Sequence, residues 1–271
     1  MSESIKVVSF NIEFCASVTR GYWQYLEFTW KYFLPHHRNA IYEIVDVIND
    51  EKIDIATFTE MEGPSYRTRH VNYIKTIAEM TRLRNGVFFP VNRLFKFGNR
   101  GNGISTRYEI ISSENVRLRT RMENRFLSVS KLRINGDIIT ILTTQLALGK
   151  RSRSNELKEI VDIINTIKGP VIFTGDLNTQ KENELEALNN TRLKRIETTN
   201  TFPSWKPKRR IDYIFYSPDF EVVESYVEDK LRVSDHLPVI AEFKLVKKAP
   251  KRIYGRRISK KGFVKKKSLK Q

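Results

Sequence analysis

Val171-Ile172-Phe173-Thr174-Gly175-Asp176-Leu177-Asn178 is an apolar strand that runs straight into polar residues. The apolar part reads as a buried strand. Asp176 and Asn178 stand where it emerges into a loop. Near the end of the folded region, Ser234-Asp235-His236 precedes a second such strand, Leu237 to Phe243. Both places set carboxylate, amide or imidazole groups at the mouth of a buried strand. That placement suits a site holding a divalent metal and a phosphate oxygen together, because Mg²⁺ takes hard oxygen ligands and few of them from protein.

Working outward, further strands are expected at Ile5 to Phe10, Ile53 to Phe58, Val87 to Val91, Gly103 to Ser105, and Glu109 to Ser112. Phe126 to Leu132 and Ile138 to Thr143 read as an antiparallel pair joined at Asn135-Gly136-Asp137. Ile211 to Tyr216, Phe220 to Val227 and Leu237 to Leu245 complete the sheet content. Apolar residues at helical spacing predict helices over 38–50, 70–82 and 153–167, with a short one at Glu182 to Leu188. Strands mostly follow one another, with helices inserted singly. This order predicts an α/β fold of layers built on mixed or antiparallel sheets.

The length of 271 residues allows one sizeable core or two small ones. No apolar run is long enough to cross a membrane. Met1-Ser2-Glu3-Ser4 has no basic segment, and the apolar run after it is too short for a secretion signal. Cys15 is the single cysteine, so no internal disulfide and no Cys₂ metal site exist. These features lead us to expect an intracellular, cytoplasmic protein. Of the formal net charge of +17, twelve positive charges lie between Lys247 and Gln271, with no acid among them. We therefore expect a domain over residues 1–246 and a basic, disordered tail over 247–271. Such a tail suits an anionic polymer or surface, or serves solubility alone. Nothing in the sequence fixes an oligomeric state.

Polar residues follow apolar runs at Asn11, Glu60, Asp176 with Asn178, Asp212, and Asp235 with His236. Singly, each has an ordinary reading as an Asx turn or a helix cap. Together, on strands that can share a sheet edge, they read as a site. The chain here resembles the metal-dependent endonuclease/exonuclease/phosphatase superfamily. The resemblance rests on Ser9-Phe10-Asn11-Ile12, Phe58-Thr59-Glu60-Met61, Gly103-Ile104-Ser105-Thr106-Arg107-Tyr108, Thr143-Thr144-Gln145-Leu146, Gly175-Asp176-Leu177-Asn178, Arg210-Ile211-Asp212-Tyr213-Ile214 and Ser234-Asp235-His236-Leu237-Pro238. It implies a four-layer sandwich, two packed sheets flanked by helices, and a hydrolase that uses Mg²⁺ or Mn²⁺.

The resemblance also implies roles. Glu60 is the main metal ligand, with Asn11 beside it and Asp235 near the ion. Asp176 orients or deprotonates the attacking water, and Asn178 holds the phosphate. His236 contacts the scissile phosphate, and Asp212 fixes its tautomer. Gln145 departs from the pattern, since most members carry histidine there. It offers a neutral hydrogen bond but no proton for a leaving group.

Lys150, Arg151 and Arg153 follow Gln145, and Lys206, Lys208, Arg209 and Arg210 precede Asp212. We expect both basic segments at the mouth of the site, with Lys150, Arg153, Trp205 and Arg209 contacting substrate. Trp205 reads equally as a stacking platform or a buried anchor. The aromatic stretch Tyr22 to Phe33 reads as a packed lid or as a membrane-facing patch. His36, His37 and His70 read as surface residues. The expected function is a Mg²⁺-dependent phosphodiesterase acting on nucleic acid, DNA first. Rival readings are a phosphoesterase acting on a lipid or soluble ester, its tail on anionic membrane, and a catalytically weak nucleic-acid-binding protein.

Overall fold

Strand β1 (Ser4–Asn11) shows why the chain stacks in layers. Ile5 and Val7 enter one hydrophobic core, while Val8 and Phe10 enter another. Side chains alternate along a strand, so one that is apolar on both faces needs cover on both. The computed structural model describes residues 4–28, 39–94, 98–120 and 124–246. The expected basic tail and the end of the aromatic stretch, residues 29–33, lie outside the described residues.

The remaining strands are β2 (Ile55–Glu62), β3 (Asn85–Leu94), β4 (Gly98–Thr106), β5 (Glu109–Leu118), β6 (Arg125–Ile134), β7 (Asp137–Gln145), β8 (Val171–Asp176), β9 (Lys194–Arg195), β10 (Asp212–Tyr216), β11 (Phe220–Val227) and β12 (Val239–Leu245). They form two six-stranded sheets, ordered β11-β12-β1-β2-β4-β3 and β5-β6-β7-β8-β10-β9. Both are mixed. β1 runs parallel to β2 and β7 parallel to β8, while the other pairs are antiparallel. Ile5, Val7 and Ile55 of one sheet meet Ile141, Ile172 and Ile214 of the other in the central core.

The helices are α1 (Trp23–Phe28), α2 (Asn39–Asp50), α3 (Tyr73–Met80) and α4 (Lys150–Thr166). Ile41, Ile44, Val45 and Ile48 of α2, with Ile74 and Ile77 of α3, cover the outside of the first sheet. Leu157, Ile160 and Ile164 of α4 cover the second. This is the four-layer sandwich that the sequence led us to expect.

Boundaries moved for local reasons. The helix expected over 70–82 starts later, because the Asn72 side chain caps it by accepting from the Lys75 amide at 3.2 Å. The helix expected from 153 begins at Lys150, after Gly149 in an extended conformation. At the β6–β7 hairpin, Ile134 pairs Asp137, so the turn is Asn135-Gly136 alone. Both turn residues have positive φ, 51° and 90°, as a tight hairpin that follows strand twist requires.

The topology brings the polar strand ends together. The C-terminal ends of β1, β2, β7 and β8 carry Asn11, Glu60, Gln145 and Asp176. In the second sheet, Gln145, Asp176 and Asp212 occupy one cross-strand row. Beneath them, Thr174 Oγ1 donates to Thr57 Oγ1 at 2.9 Å and links the two sheets. Gly175 makes the row possible. Its φ is +148°, and a Cβ there would fall 2.0 Å from the Thr144 carbonyl oxygen. Gly175→Ala should therefore cost on the order of 2–4 kcal/mol by strain and overlap. Urea denaturation checks this. A midpoint within error of wild type would show that the β7–β8 contact relaxes freely.

Candidate active site

The site forms where the two sheets open at one end, in a cleft of about 800 Å³. Glu60, Gln145, Asp176, Asn178, Asp235 and His236 all line it. Asn11 sits at its floor, almost wholly buried. Its Nδ2 donates to Glu60 Oε1 and to Asp176 Oδ2, each at 3.1 Å, and so bridges the two sheets. Glu60 reaches the cleft because β2 bulges. Register shifts between Phe58 and Met61, and Glu60 takes a φ of 51°. Bulges and positive φ at non-glycine residues re-aim side chains and gather at functional sites.

Asp176 is held by several donors. The Asn178 amide donates to its Oδ1 at 3.0 Å, and the Asn178 and Gln145 side chains donate to its Oδ2 at 3.2 and 3.3 Å. Asn178 has a φ of 49°, a conformation asparagine tolerates. Burial pushes the Asp176 carboxyl up to about 7. The His236 charge opposes that rise, and Asp212 and Glu60 reinforce it.

His236 Nδ1 lies 2.8 Å from Asp212 Oδ2. Asp212 also accepts from Thr201 Oγ1 at 2.5 Å, and the imidazole packs on the Phe202 ring with centroids 4.9 Å apart. Nε2 stands 4.0 Å from Asp176 and 3.9 Å from Asp235. Burial works against the imidazolium, but Asp212, Asp235 and Asp176 together outweigh it and raise its pKa well above the usual value. His236 thus favours its charged form, which presents Nε2–H to an oxyanion.

Asp235, the third expected metal residue, accepts from the Tyr25 hydroxyl. Its main-chain N–H donates to Glu13 Oε2 at 3.3 Å. Glu13, Phe14 and Cys15 all have positive φ, and this left-handed turn after Asn11 aims Glu13 inward. Burial, then the Asp235 charge, pushes Glu13 up to about 9. Asp176, Asp212 and His236 offer ligand atoms within 4.8 Å of one another. Of these, Asp212 and His236 are already bonded to each other. Glu60, Asp176 and Asp235 are hard oxygen donors and carry more negative charge than one imidazolium balances, while the Asn11 side-chain oxygen accepts from the Glu13 N–H at 3.0 Å. That donor set fits a divalent cation that keeps several waters.

Four residues were expected to touch substrate, and they separate. Arg209 lines the cleft and lies over the Phe202 ring at 4.7 Å. Lys150 is exposed at the start of α4. Trp205 is half-buried, with Tyr22 edge-on at 5.2 Å. Arg153 has another job, because α4 periodicity turns it inward. It is 1% exposed, pairs with Glu184 at 2.9 Å, and donates to the Ala147 and Leu148 carbonyls. It therefore braces the loop after Gln145 instead of meeting substrate.

Sequence reasoning missed Glu13 and, lining the cleft, Arg100, Arg117 and Arg125; Tyr25, which also lines it, belongs to the aromatic stretch read as a packed lid or a membrane-facing patch. Only Glu13, two residues after Asn11, carried a local signal. Arg125 Nη1 donates to Gln145 Oε1 at 2.9 Å, while Gln145 Nε2 donates to Glu60. An arginine therefore fixes which way the amide faces. If the neutral amide limits leaving-group protonation, Gln145→His should raise the rate on alkyl relative to nitrophenyl phosphodiesters about tenfold or more. Lower rates at an unchanged ratio would assign Gln145 a purely positioning role.

A sequence profile described as the Endonuclease/Exonuclease/phosphatase family matches residues 8–236. The chain belongs to this family. Membership places the domain among phosphoester hydrolases. The structure of an endonuclease/exonuclease/phosphatase from Beutenbergia cavernae is similar, with a TM-score of 0.68 at 18% identity, covering 89% of this chain and 72% of that one. D. rerio TDP2 complexed with single strand DNA product gives 0.65 at 16% identity, covering 89% and 99%. At these identities the likeness shows the fold. A UPF0294 protein of Yersinia pseudotuberculosis is 32% identical over 110 residues, 39% of this chain and 42% of that protein. The match spans less than half the length of that relative.

Proposed function

We propose that this domain is a divalent-metal-dependent phosphodiesterase that hydrolyses nucleic acid, with DNA as the first substrate to test. One observation carries the reading. A cationic His236, oriented by Asp212, faces the Asn11–Glu60–Asp176 cluster across a cleft whose walls present Arg100, Arg117, Arg125 and Arg209. Acids at the floor and arginines on the walls suit a metal below and a phosphate strand above. TDP2, which shares the fold, was crystallised with a single-stranded DNA product.

The residues divide the work. His236 places its Nε2 proton against a phosphoryl oxygen and offsets charge that grows there. Asp212 holds the ring and favours its charged form. Asn178 Nδ2 donates to the Leu146 carbonyl at 3.0 Å, so its amide is fixed before substrate arrives. Asp176, in reach of Nε2 and held by its donors, orients the attacking water and takes its proton. Glu60, Asn11 and Asp235 would hold Mg²⁺ or Mn²⁺. The ion would polarise a phosphoryl oxygen and ease water deprotonation.

A second reading has its own observation. Tyr22, Trp23 and Leu26 are 60, 50 and 80% exposed beside Tyr25, at the cleft edge. Such a patch suits a lipid surface, and a phospholipid would then be the ester. Among the described residues no helix is long and apolar enough to cross a membrane. One panel separates the readings: plasmid DNA, abasic duplex, RNA, sphingomyelin and inositol phosphates, each with Mg²⁺ and with EDTA. Metal-dependent cleavage of nucleic acid is expected. Cleavage confined to sphingomyelin would establish the second reading, and binding of DNA without cleavage of any ester would mark a weak catalyst.

A further inference from the structure

Beside the cleft lies a smaller recess of about 380 Å³, lined by Gln180, Lys181, Lys208, Arg209, Arg210 and Tyr213 among others. Gln180 and Arg209 belong to both. The two spaces are therefore neighbours that share these two side chains.

The recess is cationic after its internal pairs are accounted for. Arg210 is bound to Glu182 and to Glu197, the latter at 3.1 Å, and serves as scaffold. Its main-chain carbonyl accepts from the Tyr213 hydroxyl at 2.7 Å. That leaves Lys181, Lys208 and Arg209. Among the described residues, neither Lys181 nor Lys208 is paired with a carboxylate, and both are exposed. Arg209 reaches Gln180 at 3.5 Å and no acid.

The recess is also built into the frame of the active site. Lys208 and Arg209 sit on a short hairpin, in which Lys208 N–H donates to the Phe202 carbonyl at 2.8 Å and Thr201 N–H to the Arg209 carbonyl at 2.9 Å. The same hairpin supplies Thr201 to Asp212 and the Phe202 ring to His236. Ser204 N–H donates to the Asp235 carbonyl at 2.7 Å. On the other side, Lys181 lies three residues beyond Asn178, within about 11 Å along the chain. Neighbouring phosphates of an extended strand fall within that reach.

We infer that this recess is a second phosphate subsite, and that the substrate is a strand with a phosphate next to the scissile one. The inference rests on the phosphodiesterase reading and narrows it to polyanionic substrates. A lipid or a simple ester with one phosphate leaves the recess empty.

The test compares wild type with Lys181→Gln/Lys208→Gln on two substrates. One is bis(4-nitrophenyl) phosphate, with a single phosphate, and the other a short single-stranded oligonucleotide. The ratio of kcat/KM for the oligonucleotide to that for the simple ester should fall about tenfold, a change of about 1.4 kcal/mol carried by KM. Binding of the oligonucleotide in EDTA should lose roughly 0.7 from its log–log salt slope for each lysine removed. A ratio within about twofold of wild type, with an unchanged salt slope, would overturn the subsite. If wild type cleaves neither substrate, the phosphodiesterase reading fails, and the salt slopes alone decide whether the recess binds phosphate.

Discussion

His236→Ala should lower kcat by about 10²–10⁴-fold, and Asp176→Asn should do the same, while both proteins keep their fold. The size of the effect follows from where the charge sits. His236 is buried, favours its charged form, and is turned so that Nε2 faces the cleft. A charged donor in a site that excludes water acts on phosphoryl oxygens far more strongly than one in solution. Asp176 stands 4.0 Å from that nitrogen, with Asp235 at 3.9 Å, and is fixed by the donors around it. Asparagine keeps its shape and one of its two acceptor oxygens but cannot take a proton. Circular dichroism and a melting curve control for folding, because the alanine leaves Asp212 buried beside Thr201 alone. Single-turnover rates near wild type in either variant would remove that residue from the chemistry.

Metal withdrawal should abolish turnover, and Glu60→Gln should do nearly as much at ordinary Mg²⁺ concentrations. The effect should also be visible without substrate. Burial first, then repulsion from the Asp212 and Glu60 charges, raises the Asp176 carboxyl to about 7, and the same causes raise Asp235. A bound divalent cation offsets that repulsion. It should raise the melting temperature by an amount that grows with metal, worth about 2.7 kcal/mol at a hundred times Kd. In Glu60→Gln the repulsion is already relieved. The metal-free variant should therefore melt no lower than wild type, and added Mg²⁺ or Mn²⁺ should shift it little. Full turnover in EDTA, or an equal metal-induced shift in the variant, would take Glu60 out of the metal site.

The layered fold was legible because its signals are local. Ile5 to Phe10 and Val171 to Phe173 are apolar on both faces, so they had to lie inside a covered sheet. The Asn135-Gly136 turn set one hairpin by its own backbone preference. The polar residues ending these strands were legible for the same reason, since each interrupts an apolar run. The two-residue strand β9 carries too few residues to show any period.

The misplacements have physical causes as well. Lys150 and Arg153 read as a basic loop, yet the helix starts at Lys150, and a period of 3.6 turns Arg153 inward. There a guanidinium with a carboxylate and two carbonyls is more useful as a brace than as a surface contact. Arg100, Arg117 and Arg125 stand on β4, β5 and β6, outside the quoted motifs, and nothing local separates them from other strand arginines.

The sequence by itself therefore determined that buried strands end in carboxylates, amides and one imidazole, and that the fold is layered on mixed or antiparallel sheets, the stacking of two sheets between helices being what the family resemblance implied. The first two are consequences of side-chain period and burial, which act over a few residues. The tertiary structure decided which of those ends meet. It set Asn11 between Glu60 and Asp176, gave His236 to Asp212, and turned Arg125 onto Gln145. It also opened the second cationic recess beside the cleft. Such contacts join residues far apart in the chain, and only the pairing of strands across and between sheets brings them within hydrogen-bond range.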